Sequence, residues 1–286
     1  MPATTLAHLC ALGAIALWAV LAVLGVQLAH VPPFLLTGLA LLIGSMPSWR
    51  QWREWNLVRW KVLLLGVYGL FGFHLLLFVA VRHAPPVEAS LINYLWPLLV
   101  VVLAPALLPR LPLRPMHLVA ALCGFAGAAA ALLGGAGQAQ HDSSGDALGY
   151  SAAVGSALIW ATYSLVTRRL ADLCKPYPTS MVGLFGLVSG VLSLACHLAF
   201  EPEVTLGLHD VSLIAAVGLG PMGAAFYLWD RALKLGDPRI ISVISYVTPL
   251  ASTVLLILVN GRGFDGGVLL STVLVSGAAM LVLRTR

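Results

Sequence analysis

The sequence predicts an all-α integral membrane protein of ten transmembrane helices in two inverted-topology five-helix repeats. Three observations carry that expectation. Only 9% of the 286 residues are charged and 60% are hydrophobic, whereas soluble domains carry roughly 25% charged residues to cover a wetted surface. Apolar runs recur at about the 20-residue length that crosses a hydrocarbon core about 30 Å thick. Basic residues fall almost entirely on alternate loops.

Read between polar or proline-rich breaks, the runs give helices near 7–28, 32–48, 61–82, 86–107 and 115–135, then 147–168, 177–199, 211–234, 238–259 and 266–284. The first has no Lys or Arg before it and runs longer than the apolar core of a cleaved leader. It is therefore expected to be a span. Assigning alternate loops to the two sides places fourteen Lys and Arg on the side of both termini and only Arg82 and Arg262 opposite. Short loops rich in Lys and Arg stay inside, so both termini are expected in the cytoplasm. The loop WRQWREWNLVRWK interleaves Trp49, Trp52, Trp55 and Trp60 with basic residues, a composition suited to a headgroup layer.

The second half echoes the first. A displacement of 152 residues superposes Pro86 on Pro238, Ser90 on Ser242, Ile92 on Ile244, Tyr94 on Tyr246, Pro97 on Pro249 and Leu98 on Leu250, six identities in fourteen positions. The segment ALWAV around Trp18 likewise answers LIWAT around Trp160. Two copies of five helices must enter the membrane from opposite sides, because five is odd. The division is residues 1–136, a linker at 137–146 (GQAQHDSSGD from its first residue), and 147–286.

Candidate functional groups cluster at mid-span. Pro97 and Pro249 each lie about eleven residues into their helices, where a proline removes a backbone hydrogen bond and permits a kink. They are candidate hinges; static kinks are the alternative. Ser90, Asn93 and Pro97 share one helical face, as do Ser242, Ser245, Pro249 and Ser252. Aromatic side chains fall at similar depth: Trp18, Phe78, Tyr94, Trp96, Trp160, Tyr163, Tyr227, Trp229 and Tyr246. His74 shares a face with Phe78 and is an ionisable group in a span, suited to binding substrate, exchanging a proton or simply being buried. Rings for stacking and a few Asn, Ser and His for orientation suit a neutral or zwitterionic solute with an apolar side chain. A helix-packing core is the competing reading.

Other chemistry lacks its residues. Glu88 lies in the first turn of its helix, where the positive helix end accounts for it, and Asp230 has an i,i+4 partner in Lys234. No HExxH, GxSxG or CxxC motif is present, so neither an enzyme, a metal nor a cofactor is expected. Cys10, Cys123, Cys174 and Cys196 read as free thiols. The run CGFAGAAAALLGGAG reads as a small-residue packing surface. Phosphate cargo would need Arg or Lys at mid-membrane, and the basic residues all fall near helix ends. The net charge of +5 follows the topology and implies a lipid bilayer as partner rather than nucleic acid.

NYLWP at 93–97, SYVTPLAS at 245–252 and YLWDRALKLGD at 227–237 resemble the EamA family of the drug/metabolite transporter superfamily, and within it the YddG-type aromatic amino acid exporters. The resemblance covers nearly the whole chain. It implies an inner-membrane exporter of aromatic and other apolar amino acids, working by alternating access, with a central cavity lined by spans 1, 3, 4, 6, 8 and 9. The positions it implies for binding this small-molecule substrate are Trp18, His74, Phe78, Asn93, Tyr94, Trp96, Trp160, Tyr163, Tyr227, Ser245 and Tyr246. A single chain is compatible with it. The first helix contains no acid, unlike that of the superfamily's small multidrug members, which argues against cation-for-proton exchange by their route. Transport of another metabolite or drug, and a membrane protein without transport activity, are the alternatives.

Overall fold

The computed structural model describes residues 2–55, 59–135, 147–173, 177–260 and 266–284, and every regular element among them is helical. The linker expected at 137–146 lies outside the described residues.

The chain opens with α1, Ala3–Gln27. Next, α2, Pro33–Ser45, carries proline in its first turn, where the missing N–H has no helical partner to lose. It stops sooner than the expected 32–48, because Pro47 has no N–H to continue the helical hydrogen-bond ladder, and the chain tightens into a 3-10 turn, Met46–Gln51. A four-residue helix, α3, Trp52–Trp55, follows. Helices α4, Trp60–Val67, and α5, Phe73–His83, are one rod joined by a π turn at Tyr68–Gly72. Helices α6, Pro86–Asn93, and α7, Trp96–Leu107, are a second rod broken at Tyr94 and Leu95. Then come α8, Pro115–Gly135, α9, Ala147–Asp172, and α10, Met181–Phe200, the last starting later than expected because Pro178 lies in a turn.

The remaining elements repeat these irregularities. Helices α11, Leu208–Leu219, and α12, Ala225–Leu235, flank a π turn at Gly220–Ala224. Helices α13, Pro238–Ile244, and α14, Val247–Asn260, are separated by a break at Ser245 and Tyr246. The chain ends with α15, Gly266–Leu283. Both π turns start 152 residues apart, at Tyr68 and Gly220, as do the proline-led starts of the broken rods, Pro86 and Pro238.

Eight of these helices or collinear rods are long and apolar enough to cross a membrane. Two others fall short by those measures. The 13 residues of α2 extend only about 20 Å at 1.5 Å per residue. The 26 residues of α9 are long enough but diluted by Ser, Thr and Tyr, and many of them are buried against neighbours rather than exposed.

Small residues set the packing. Gly124 faces the Tyr246 ring, and a Cβ on Gly127 would meet Val275 Cγ2 at 2.7 Å and Leu274 Cβ at 3.0 Å, so α8 and α15 lie nearly backbone to backbone. Replacing Gly127 by Val is expected to destabilise the protein by about 1–3 kcal/mol, the range for overpacking a filled interior. The check is a lower unfolding midpoint in detergent, with a Gly124→Ala variant shifted the same way.

Candidate functional site

The irregular turns surround a cavity of about 380 Å³, within the ~300–1,000 Å³ range of small-molecule sites. Its wall runs from Gly25 of α1 and Pro33 of α2 down to Trp96, Trp160, Met222 and Phe226. Leu21, Leu36, Thr37, Ala40, Phe73, His74, Leu77, Phe78, Asn93, Tyr94, Val217, Thr248 and Trp18 complete it. Among the described residues, no carboxylate, lysine or arginine lines it.

The floor is a cage of rings around Trp160, which is 4% exposed. Its ring centroid lies 5.9 Å from Trp18, 5.2 Å from Phe73, 6.3 Å from Trp96 and 5.8 Å from Phe226. Trp229 closes the underside, stacked on Trp160 at 6.3 Å and edge-on to Trp96 at 5.6 Å. Edge-to-face and offset contacts are the favourable aromatic geometries, so the rings of the cage support one another. The π turns make it possible. Each inserts extra backbone into a helix and rotates the residues beyond it, and the Pro221 carbonyl in the second accepts the Trp18 Nε1–H at 3.1 Å.

Few polar groups reach the cavity, and His74 and Asn93 are held by neighbours. His74 Nδ1 lies 2.6 Å from the Leu70 carbonyl, so it must carry the proton and leave Nε2 as an acceptor. Ser156 Oγ lies 2.8 Å from both the Asn93 amide and the Ala153 carbonyl, which tethers Asn93 at the wall and leaves at least one amide N–H to donate elsewhere. Helices α7 and α14 begin beside the cavity, so Trp96 and Thr248 of the wall stand at helix N-termini, where partial positive charge collects. Pro97 and Pro249 sit in the first turns of these segments, just after the breaks. Pro249 cannot donate to the Ser245 carbonyl, which takes the Thr248 N–H instead at 2.9 Å.

Seven of the eleven positions named from sequence line the cavity: Trp18, His74, Phe78, Asn93, Tyr94, Trp96 and Trp160. The other four do not. Tyr163 stacks behind Trp160 at 5.5 Å and packs on Gly69. Tyr227 turns outward to donate to the Gly44 carbonyl at 3.2 Å. Ser245 donates to the Ser242 carbonyl at 2.6 Å, and Tyr246 is fully buried against Gly124 and Phe125. The wall also includes residues that the sequence reading missed, above all Phe73, Phe226 and the face Pro33, Leu36, Thr37 and Ala40 of α2, a helix absent from the expected set of walls. The α2 positions fall at i, i+3, i+4 and i+7, the spacing that marks them as one face.

One turn below the floor the character changes. Asp230, 1% exposed, accepts from Lys234 Nζ and Thr179 Oγ1, each at 2.7 Å. Lys234 Nζ also donates to the Tyr177 carbonyl at 2.7 Å and lies 3.7 Å from the Tyr177 ring centroid. Arg168 donates to the carbonyls of Lys234 and Gly236 at 3.1 and 2.7 Å, closing the end of α12. Glu88, in the first turn of α6, accepts from the Tyr150 hydroxyl.

The EamA-like transporter family profile matches residues 5–133 and 147–284. The chain is 40% identical over 283 residues to the aromatic amino acid exporter YddG of Ancylobacter novellus, covering 96% of each protein. It is 28% identical over 229 residues to the aromatic amino acid exporter YddG of Salmonella typhimurium, covering 77% of this chain and 74% of that one. A solved crystal structure superposes with a TM-score of 0.90 at 36% identity, covering 99% of this chain and 97% of the other.

Proposed function

Because the chain belongs to the EamA-like transporter family, we propose that it carries aromatic and other apolar amino acids out of the cytoplasm by alternating access. One observation carries the reading: an uncharged cavity of about 380 Å³ floored by Trp18, Trp96, Trp160 and Phe226. Rings bind an aromatic side chain by stacking at little cost in conformational entropy. The zwitterionic end needs an acceptor and donors rather than counter-ions. His74 Nε2 meets the ammonium, while the Asn93 amide and the N-terminal end of α7 or α14 meet the carboxylate. The names of the two YddG relatives agree with this cargo.

In this reading the chain crosses the bacterial inner membrane ten times, α2 and α9 included, with both termini in the cytoplasm. Residues 1–136 and 147–286 are inverted repeats joined by 137–146. The recurrence of π turns and proline-led breaks at a 152-residue displacement supports the repeat, and the basic end around Arg168, Lys234 and Arg239 supports the sidedness. Pro97 and Pro249 are the hinges. No enzymatic step is required of any residue. Cargo bearing phosphate is disfavoured, since its charge would face an uncharged wall.

Reconstituted protein is expected to move labelled Phe, Tyr and Trp, with and without an imposed pH gradient. Good flux of a different solute and none of these three would overturn the cargo. His74→Phe keeps a ring of similar reach but removes the acceptor. It is expected to raise the half-saturating concentration about tenfold, the loss of one hydrogen bond to a charged group, while maximal flux changes less.

A further inference from the structure

We propose that the polar cluster beneath the aromatic floor is the cytoplasmic gate, with Asp230 and Lys234 clasping the segment Tyr177–Ser180 against the base of the cavity. The inference rests on the transport reading above and adds the part that separates the cavity from the cytoplasm.

The cavity stops at Trp160 and Phe226, and the route onward toward the basic end passes the next turns of α9 and α12. Those turns carry Tyr163 and Thr167 on one side and Asp230 and Lys234 on the other. Between them lies Tyr177–Ser180, a short non-helical stretch that leads into α10. It is held by the Tyr177 ring, edge-on to Phe185 at 5.4 Å, and by a set of polar contacts. Its Tyr177 carbonyl and ring take Lys234, its Thr179 hydroxyl donates to Asp230, and the Tyr177 hydroxyl pairs with Thr167 at 3.1 Å. Ser180, at the N-cap of α10, leaves that helix uncapped and donates instead to Glu54.

A closure made this way differs in kind from the ring cage above it. Burying a carboxylate and an ammonium costs desolvation that nearly offsets their attraction, so the pair adds little net stability while dry. When water enters, both ions regain hydration, and the Tyr177 ring is the main apolar surface the closure exposes as it parts. That is the behaviour a reversible gate requires and a packed core lacks. The moving part is also defined. Helix α10 packs along α2, which supplies one wall of the cavity. Release of Tyr177–Ser180 would therefore shift a helix pair that reaches the opposite mouth, opening one end while narrowing the other.

The test reads which side reaches the interior, independently of cargo. In full-length protein with its four cysteines replaced by Ser, one reporter is Ser164→Cys beneath the floor and the other is Leu36→Cys on the upper wall. Labelling by a membrane-impermeant maleimide is timed in inside-out and right-side-out vesicles. Thr179→Val, which leaves no charge unpaired, and the double variant Asp230→Asn/Lys234→Met are each expected to raise cytoplasmic labelling at position 164 about tenfold and to slow external labelling at position 36, as a shift between two states demands. Rates within about twofold of the parent at both positions, in variants with an unchanged unfolding midpoint, would overturn the gate. Shifted labelling without aromatic amino acid flux would sink the cargo and leave the gate standing; flux with unshifted labelling would do the reverse.

Discussion

Replacing Trp160 by Ala is expected to cut efflux of labelled Phe, Tyr and Trp by about thirty- to a hundredfold, the largest loss from any single change in the cavity. Trp160 is the one ring in contact with Trp18, Phe73, Trp96, Phe226 and Trp229 together. An aromatic pair adds about 0.5–1.5 kcal/mol beyond the area it buries. Removing Trp160 deletes the surface a bound ring stacks on and frees the neighbours that held it, so two such contacts and some preorganisation are lost. That amounts to about 2–3 kcal/mol, and each 1.4 kcal/mol is tenfold. Trp160→Phe retains a smaller ring and is expected to lose about three- to tenfold. Equilibrium binding of a labelled aromatic amino acid to purified protein separates this from misfolding: the Ala variant must bind weakly while keeping its helical circular dichroism. If both variants transport at the parental rate, the cage is packing and not a binding surface.

Much of this architecture is legible in the sequence because a bilayer imposes one requirement on every span. Helical class and apolar length follow from the composition around Ala3–Gln27 or Gly266–Leu283 without any tertiary information. The Asp230–Lys234 pairing is equally local, since residues four apart share a helical face. Which face looks inward is another matter. Periodicity groups Tyr227 with its neighbours but cannot orient them, and the π turn at Gly220–Ala224 rotates α12 so that Phe226, not Tyr227, reaches the wall. The turn at Tyr68–Gly72 precedes adjacent Phe73 and His74, both of which line the cavity. A π turn has no residue signature of its own, and so Phe73 stayed hidden. The face of α2 was missed for a different reason. Pro33, Leu36, Thr37 and Ala40 include no aromatic ring, amide or ionisable group to draw notice, and their spacing marks a common face without telling that it looks into the cavity.

The proline pair bears on how such a cavity changes sides, and Pro97→Ala together with Pro249→Ala is expected to slow turnover about ten- to a hundredfold while altering substrate binding about twofold or less. The sequence places each proline within a span, and the helix is interrupted two to four residues earlier, at Tyr94–Leu95 and at Ser245–Tyr246. Alanine at either position restores an N–H that can donate to the carbonyl four residues back, on Asn93 or Ser245, and so heals the break. A restored bond is worth about 0.5–1.5 kcal/mol, and it favours a continuous rod over a bent one. If the bend must change during each cycle, that bias enters the barrier, so one substitution costs about three- to tenfold and the two together multiply. Binding is spared because neither ring belongs to the cavity wall. A static kink makes the opposite demand: healing it would displace Trp96 and Thr248, which stand at the starts of α7 and α14, and would weaken binding at least as much as turnover. Measuring exchange rate and equilibrium affinity on the same three variants decides between them, and loss confined to affinity would remove the hinge.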